Sequence, residues 1–375
     1  MPARSRVFRL KRIARRWNTG IVGPDMQQAT RQPAPERIES EEALDEFLTR
    51  PRAELVDFIK SVRSPLVVLG AGGKMGPTLA VLARRAAECA GYELEVIAVS
   101  RFSDARAKNC LEARGVKTIS CDLLDREAAR HLPEAENVLY LVGMKFGITQ
   151  NPALAWAANT IVPALVAGHY AKARIVALST GNVYPLSSAD RGGSVESDPL
   201  TPLGEYANAA IGRERVFEYF SQRNGTPTAL LRLFYAVELR YGVLRDLADR
   251  IWSGQPVDLA NGHLNCIWQG EANELVIRSL SLASSPAVAF NLTSAGIYSV
   301  RALAKRLGDL LERPVEFSGE ENATSLTANT SKLCAALSKP AVELETMLRW
   351  TALWVKRGGR SLGKPTHFET RDGRF

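Results

Sequence analysis

The residues best placed to act together are the glycines of PLVVLGAGGKMGP, Pro65 to Pro77. Gly70, Gly72, Gly73 and Gly76 follow a short apolar run and precede a long apolar-periodic segment, Thr78 to Gly91. Glycine accepts φ > 0 and lets a phosphate approach the backbone, while the free N–H groups of a helix start attract an anion. The stretch reads as the strand, turn and helix of a dinucleotide-binding unit, with Gly70, Gly73, Lys74, Met75 and Gly76 against the cofactor. The next strand, Glu93–Val99, runs into Ser100 and Arg101 with no acid. A carboxylate there accepts the 2′-OH of NAD, whereas arginine suits the 2′-phosphate of NADP, so NADP is the expected cofactor and NAD its alternative. Four histidines lie scattered, and Cys89, Cys110, Cys121, Cys266 and Cys334 form no CxxC pair. No metal site is expected, and the thiols read as reduced in a cytoplasmic protein.

The elements that position such a turn alternate along the chain. Val116–Ser120, Asn137–Gly143, Ala173–Ser179 and Thr226–Leu233 read as further strands, with helices over Pro152–Tyr170 and Tyr206–Phe220. Strands alternating with helices at this spacing give an α/β fold, a doubly wound parallel sheet of the Rossmann type. Beyond Tyr235 the pattern loosens into a smaller mixed α/β region with helical segments near 243–253, 271–283, 300–311 and 342–356 and a strand near 287–292. The expected organisation is a basic arm at 1–35, a helical lead-in at 36–64, the dinucleotide-binding domain at 65–235, a substrate-binding region at 236–357 and a tail at 358–375. Ser40 reads as the N-cap of the lead-in helix ahead of Glu41 and Glu42, and Leu44, Phe47, Leu48, Leu55 and Phe58 as its docking face on the first strand. The polar tail reads either as a mobile end or as a clamp on a neighbouring subunit.

The formal charge of +8 is concentrated in the arm, where residues 1–35 hold eight basic side chains against the single acid Asp25. The body is close to neutral, which argues against nucleic acid as its partner, and no apolar run is long enough to cross a membrane. The arm itself reads as a disordered extension or the product of an upstream start codon rather than as a targeting segment or a nucleic-acid-binding arm, and it lacks the apolar core of a secretory signal.

Several motifs fall in a telling order. Gly70, Gly73 and Gly76 spell GxxGxxG, Asp122 and Leu123 follow the third strand, and Asn159 lies in NTIVPAL. STGNVY spans Ser179 to Tyr184, and Tyr206 comes twenty-two residues after Tyr184. With these motifs the chain resembles the extended short-chain dehydrogenase/reductase superfamily, which includes NAD(P)-dependent epimerases and dehydratases, from about Leu66 to Lys356. The resemblance implies that Asp122 and Leu123 lie beside the adenine and that Asn159 is the asparagine of the active-site helix. It implies too that Tyr206 is the catalytic tyrosine, that Thr180 assists it and that Tyr184 borders the substrate. Helices 152–170 and 206–220 are those through which such proteins dimerise.

Departures from the family pattern are as informative. The family has YxxxK, whose lysine contacts the nicotinamide ribose and lowers the tyrosine pKa; here Ala210 fills that place in YANAAIGRER. An unperturbed tyrosine, with a pKa of about 10, is a poor base near neutral pH. Lys145, in GMKFG after the fourth strand, and Arg213 are the candidate replacements, and Lys145 is preferred because loops at strand C-termini line the cleft. The asparagine that nucleotide-sugar members carry after strand six is Tyr235 here, and their pyrophosphate-holding arginine is matched by Leu264 and Asn265. A pyrophosphate needs cationic donors, so a nucleotide sugar is not the expected substrate. A small sugar, sugar acid or polyol fits better, with Tyr235, Asn265, Trp268 and Gln269 as pocket candidates. The expected function is an NAD(P)-dependent oxidoreductase or epimerase acting on a hydroxyl or keto carbon as a homodimer. A non-catalytic cofactor-binding sensor or scaffold, which the missing lysine favours, is the alternative.

Overall fold

A computed structural model describes residues 33–103, 105–144 and 150–374. Lys145 and all but the last three residues of the basic arm lie outside the described residues. Two lead-in helices, α1 (Glu41–Leu48) and α2 (Ala53–Ile59), precede β1 (Leu66–Leu69). Ser40 caps α1 as expected, its side chain accepting from Ala43 N at 3.1 Å. Then follow α3 (Gly76–Cys89), β2 (Val96–Ser100), α4 (Ala105–Glu112), β3 (Lys117–Ser120), α5 (Arg126–Arg130) and β4 (Asn137–Tyr140). The second half of the unit comprises α6 (Pro152–His169), β5 (Arg174–Thr180), α7 (Glu205–Asn224) and β6 (Thr228–Leu233). After it come β7 (Tyr235–Val237), α8 (Val243–Trp252), β8 (Cys266–Trp268), α9 (Gln269–Arg278), β9 (Val288–Leu292), α10 (Val300–Leu311) and α11 (Leu344–Lys356).

Seven strands form one sheet in the order β9-β6-β5-β4-β1-β2-β3, and every neighbouring pair is parallel. The Rossmann-type expectation holds. The reason lies in the strands themselves: all four residues of β1, LVVL, are fully buried, as a strand covered by helices on both faces must be. Each such side chain contributes about 1.5–3 kcal/mol. Because β2 and β4 flank β1, the chain reverses direction across the sheet there, and in this class of fold ligands bind beyond the C-terminal ends at that reversal.

The lead-in helices divide their apolar faces. Leu55, Ile59 and Phe58 pack under β1, whereas Leu44, Leu48 and Phe47 join a second core with Trp268, Trp350 and Leu247. The sequence expectation put Leu44, Phe47, Leu48, Leu55 and Phe58 all on the first strand, and only Leu55 and Phe58 go there. Arg52, between the helices, ion-pairs with Glu274 at 2.9 Å and Glu271 at 3.5 Å, both on α9, and so ties the start of α2 to a helix of the first core. The tail packs on its own chain. Leu362 N donates to Arg240 O at 2.9 Å, and Thr366 donates twice to Asp246 Oδ2, at 2.7 and 2.6 Å.

Candidate active site

The site is built first by the turn after β1. Gly70 sits at φ +82°, and its N–H and that of Ala71 both donate to Val99 O, at 2.8 and 3.1 Å. A Cβ on Gly76 would lie 2.5 Å from Ala71 Cα, so only glycine lets α3 start this close to the turn. Gly73 is different, since a Cβ there would meet nothing nearer than Gly70 O at 3.3 Å and the residue borders open space. No side chain caps α3, and its first turn carries no acid. Its free N–H groups therefore suit an anion, and this chain fits the diphosphate of a dinucleotide.

Beyond the turn lies a cavity of about 270 Å³. The turn supplies one wall through Gly70, Gly73, Lys74, Met75 and Gly76. Thr180 at the end of β5, Tyr206 in the first turn of α7 and Tyr235 of β7 supply the opposite side. Thr180 Oγ1 accepts from the backbone N and the Nδ2 of Asn182, both at 3.2 Å, which fixes its orientation. Tyr206 is 9% exposed, and Gly204 at φ +84° turns the chain into its helix. Among the described residues of this wall, Lys74 alone carries a formal charge. Its Nζ donates to Ala236 O at 3.0 Å and lies 3.3 Å from the centre of the Tyr241 ring. Burial pulls the Lys74 ammonium down to about 7, against the opposing pull of Glu238 and Asp246. Burial likewise pushes the Tyr241 hydroxyl up to about 12.

Lys74 and Tyr241 also border a second cavity of about 460 Å³ between α3, α4 and the tail. Arg240 on its wall pairs with Glu238 and Asp45 at 3.1 Å each and Arg360 with Glu41 at 3.5 Å, whereas Lys364 makes no ion pair among the described residues. On the far side of the turn, Ser100 ends β2, with Arg101 exposed beyond it, and Asp122 is exposed after β3 with Leu123 buried beside it. Asp122 Oδ1 accepts from Leu124 N at 3.0 Å. All four stand at the same sheet end as the glycine turn.

Five other residues assigned to the site by sequence lie off the cavity wall. Tyr184 is 2% exposed, accepting from Arg232 Nη1 at 2.6 Å and donating to Asn291 Oδ1 at 2.8 Å, so it braces the core rather than bordering a substrate. Asn265 is fully buried, its Oδ1 accepting from Ala328 N and its Nδ2 donating to Gly296 O. Trp268 packs between Phe47 and Trp350, with ring centres 5.7 and 5.2 Å away. Gln269 Nε2 donates to Thr78 Oγ1 at 3.1 Å behind the turn. Asn159 is buried in α6, where its Nδ2 donates to Ala155 O at 2.9 Å. Sequence reasoning missed Tyr241, Asn182 and Thr366, all on the cavity wall. Asn182 lay within the STGNVY motif and was legible there; Tyr241 and Thr366 come from segments with no periodicity to mark them.

The family model described as NAD dependent epimerase/dehydratase family matches residues 66–260. No curated protein matches the chain. Among solved structures, epimerase Mth375 from Methanothermobacter thermautotrophicus is similar at 16% identity and a TM-score of 0.66, over 82% of this chain and 96% of that one. The UDP-Glc/GlcNAc 4-epimerase from Campylobacter jejuni is similar at 16% identity and a TM-score of 0.64, over 79% of this chain and 100% of the other. The UDP-glucuronic acid 4-epimerase from Bacillus cereus, in complex with UDP-glucuronic acid and NAD, gives 16% identity and a TM-score of 0.65, over 78% of this chain and 99% of its own.

Proposed function

The chain belongs to the NAD dependent epimerase/dehydratase family, and on that footing we propose that it moves a hydride to or from a carbinol carbon of a small hydroxylated substrate. The observation that carries this reading is that Tyr206 and Thr180 face the glycine turn across one cavity. The N-terminus of α3 at Gly73, Lys74 and Met75 would hold the diphosphate of the dinucleotide, and Ser100, Arg101, Asp122 and Leu123 would hold its adenosine end. A bound nicotinamide supplies the hydride acceptor or donor. Tyr206 takes or returns the proton of the substrate hydroxyl, and Thr180 Oγ1 orients the same oxygen. Exposed Arg101, directly after β2 in place of a strand-end carboxylate, favours NADP over NAD.

Tyr235, Asn182, Tyr241 and Thr366 bring hydroxyls and an amide to a wall that is otherwise mainly apolar, and Lys74 is the one cation among its described residues. That lining supports a sugar, sugar acid or polyol. Among the described lining residues it offers a nucleotide sugar's pyrophosphate no second cationic donor. A homodimer is supported by the outer face of α6, where Leu154 and Ile161 are 40% and 51% exposed. The test is a thermal-shift comparison of NADPH with NADH, followed by turnover of sugars and polyols by Tyr206→Phe. NADPH should stabilise more, and Tyr206→Phe should lose orders of magnitude in turnover while keeping cofactor affinity. Retained turnover in that variant removes Tyr206 from its role, and a preference for NADH overturns the reading of Arg101.

A further inference from the structure

The cavity of about 460 Å³ between α3, α4 and the tail lies outside the path given to dinucleotide and substrate. Ser100, Arg101, Asp122, Leu123, Thr180 and Tyr206 are not among its lining residues, and it shares with the smaller cavity Gly73, Lys74 and Tyr241. Its volume is that of a pocket for a small organic ligand. The tail segment that closes it is fixed in place. Buried Arg245 donates from Nη1 to Gly359 O at 3.1 Å and Arg360 O at 3.2 Å, Trp354 Nε1 donates to Arg360 O at 3.0 Å, and Leu362 N donates to Arg240 O at 2.9 Å. All of this segment lies beyond residue 260, where the family match ends.

The charges on the wall do not balance. Lys74, Arg114, Arg240, Arg360 and Lys364 line it against Asp45 and Glu238. Both carboxylates converge on Arg240, at 3.1 Å each, and Glu41 joins them at 3.4 Å. Arg360 is left a share of Glu41 at 3.5 Å and Arg114 a share of Asp45 at 4.0 Å, while Lys74 and Lys364 make no ion pair among the described residues. Between the cations the floor is apolar, with Pro77, Val81, Leu111 and Leu362. Cations gathered in a cleft with low-dielectric walls raise the local concentration of anions, and guanidinium forks match the oxygens of a phosphate. The apolar floor adds an attraction for a carbon body that an inorganic ion lacks.

We propose that this cavity is a second binding site, separate from that of the dinucleotide, for an organic phosphate monoester whose dianion meets Arg114, Arg360 and Lys364 and whose carbon body rests on Val81 and Leu111. The test is calorimetric titration with phenyl phosphate, inorganic phosphate and phenol, on the protein alone and on the protein saturated with NADPH or with NADH. Phenyl phosphate should bind with similar affinity in all three states, inorganic phosphate at least about tenfold more weakly for want of the ring, and phenol not at all. Arg114→Gln/Lys364→Gln should melt like the parent, because both side chains are exposed, and should weaken phenyl phosphate about tenfold. Ala107→Trp, which fills the α4 side of the cavity and leaves every charge in place, should abolish that binding. A parent that does not bind phenyl phosphate overturns the proposal, as does one that binds phenol or inorganic phosphate equally well. Unchanged affinity in either variant overturns it too. Binding lost on saturation with NADPH but kept with NADH would make the cavity the seat of the cofactor's 2′-phosphate, and binding lost with both would put the probe in the dinucleotide's place; each contradicts a separate site. If the parent binds neither cofactor, the titrations of the protein alone still decide the proposal, so its failure is distinct from that of the cofactor reading.

Discussion

Removing the guanidinium of Arg232 should destabilise the fold by about 3–5 kcal/mol. The size follows from what is left behind. Arg232 on β6 and Glu214 on α7 are 3% and 0% exposed, joined from Nη2 to Oε2 at 2.7 Å and from Nε to Oε1 at 3.1 Å. Ser179 Oγ also donates to Glu214, and Arg232 Nη1 donates to Tyr184 Oη and to Glu196 O at 3.1 Å. Arg232→Met keeps much of the volume but strands a carboxylate with no water and no cation, which is the expensive way to break a buried pair. With an unfolding entropy of about 2 cal/mol/K per residue, a chain of this length should melt about 4–7 °C lower. Arg232→Met/Glu214→Leu should regain most of the loss, because no stranded charge remains. Melting followed by circular dichroism reads both. If Arg232→Met melts within about 1 °C of the parent, the network beneath Thr180 does not hold the strand ends as described.

Lys74 should make cofactor affinity depend on pH. Its folded pKa of about 7 lies below the ordinary lysine value, so its protonated form destabilises the fold below pH 7 and that penalty fades as pH rises towards the unfolded pKa. A diphosphate prefers the protonated form, so NADH should bind more weakly above about pH 7 in the parent, and Lys74→Met should be weak and flat with pH. Binding titrations at several pH values check this, and parallel curves for the two proteins would remove Lys74 from the ligand. Gly76→Ala should lose both stability and cofactor binding, since its Cβ would come within 2.5 Å of Ala71 Cα and O. A thermal melt with and without NADPH checks it.

The sheet was legible because its strands are short apolar runs separated by helical periods, and β1 and β9 end on the residues the pattern gave, Leu69 and Leu292. The Ser40 cap was legible from one side chain and its acidic neighbours. On the cavity wall, Thr180, Tyr206 and the glycines could be placed because they lie on or beside strand ends in a fixed order. Trp268, Gln269 and Asn265 could not be separated from pocket residues by sequence. A polar side chain that satisfies buried backbone, as Asn265 does for Ala328, looks in one dimension like one that waits for a ligand. Tyr241 and Thr366 reach the cavity through the packing of the tail on α8, a long-range contact with no local pattern.

Calorimetric titration of Gly73→Val with NADPH beside the parent tests most directly whether a dinucleotide lies on the turn after β1. Gly73 is not held at positive φ, and an added Cβ would meet Gly70 O at 3.3 Å, a tight contact that the turn can accommodate only by giving a few tenths of an ångström, while the side chain would stand where the diphosphate must pass. The expected result is a parent that binds NADPH and a Gly73→Val protein that melts like the parent and binds none. A folded Gly73→Val protein with the parent's affinity would contradict the placement of the cofactor, and with it the roles given to Tyr206 and Thr180.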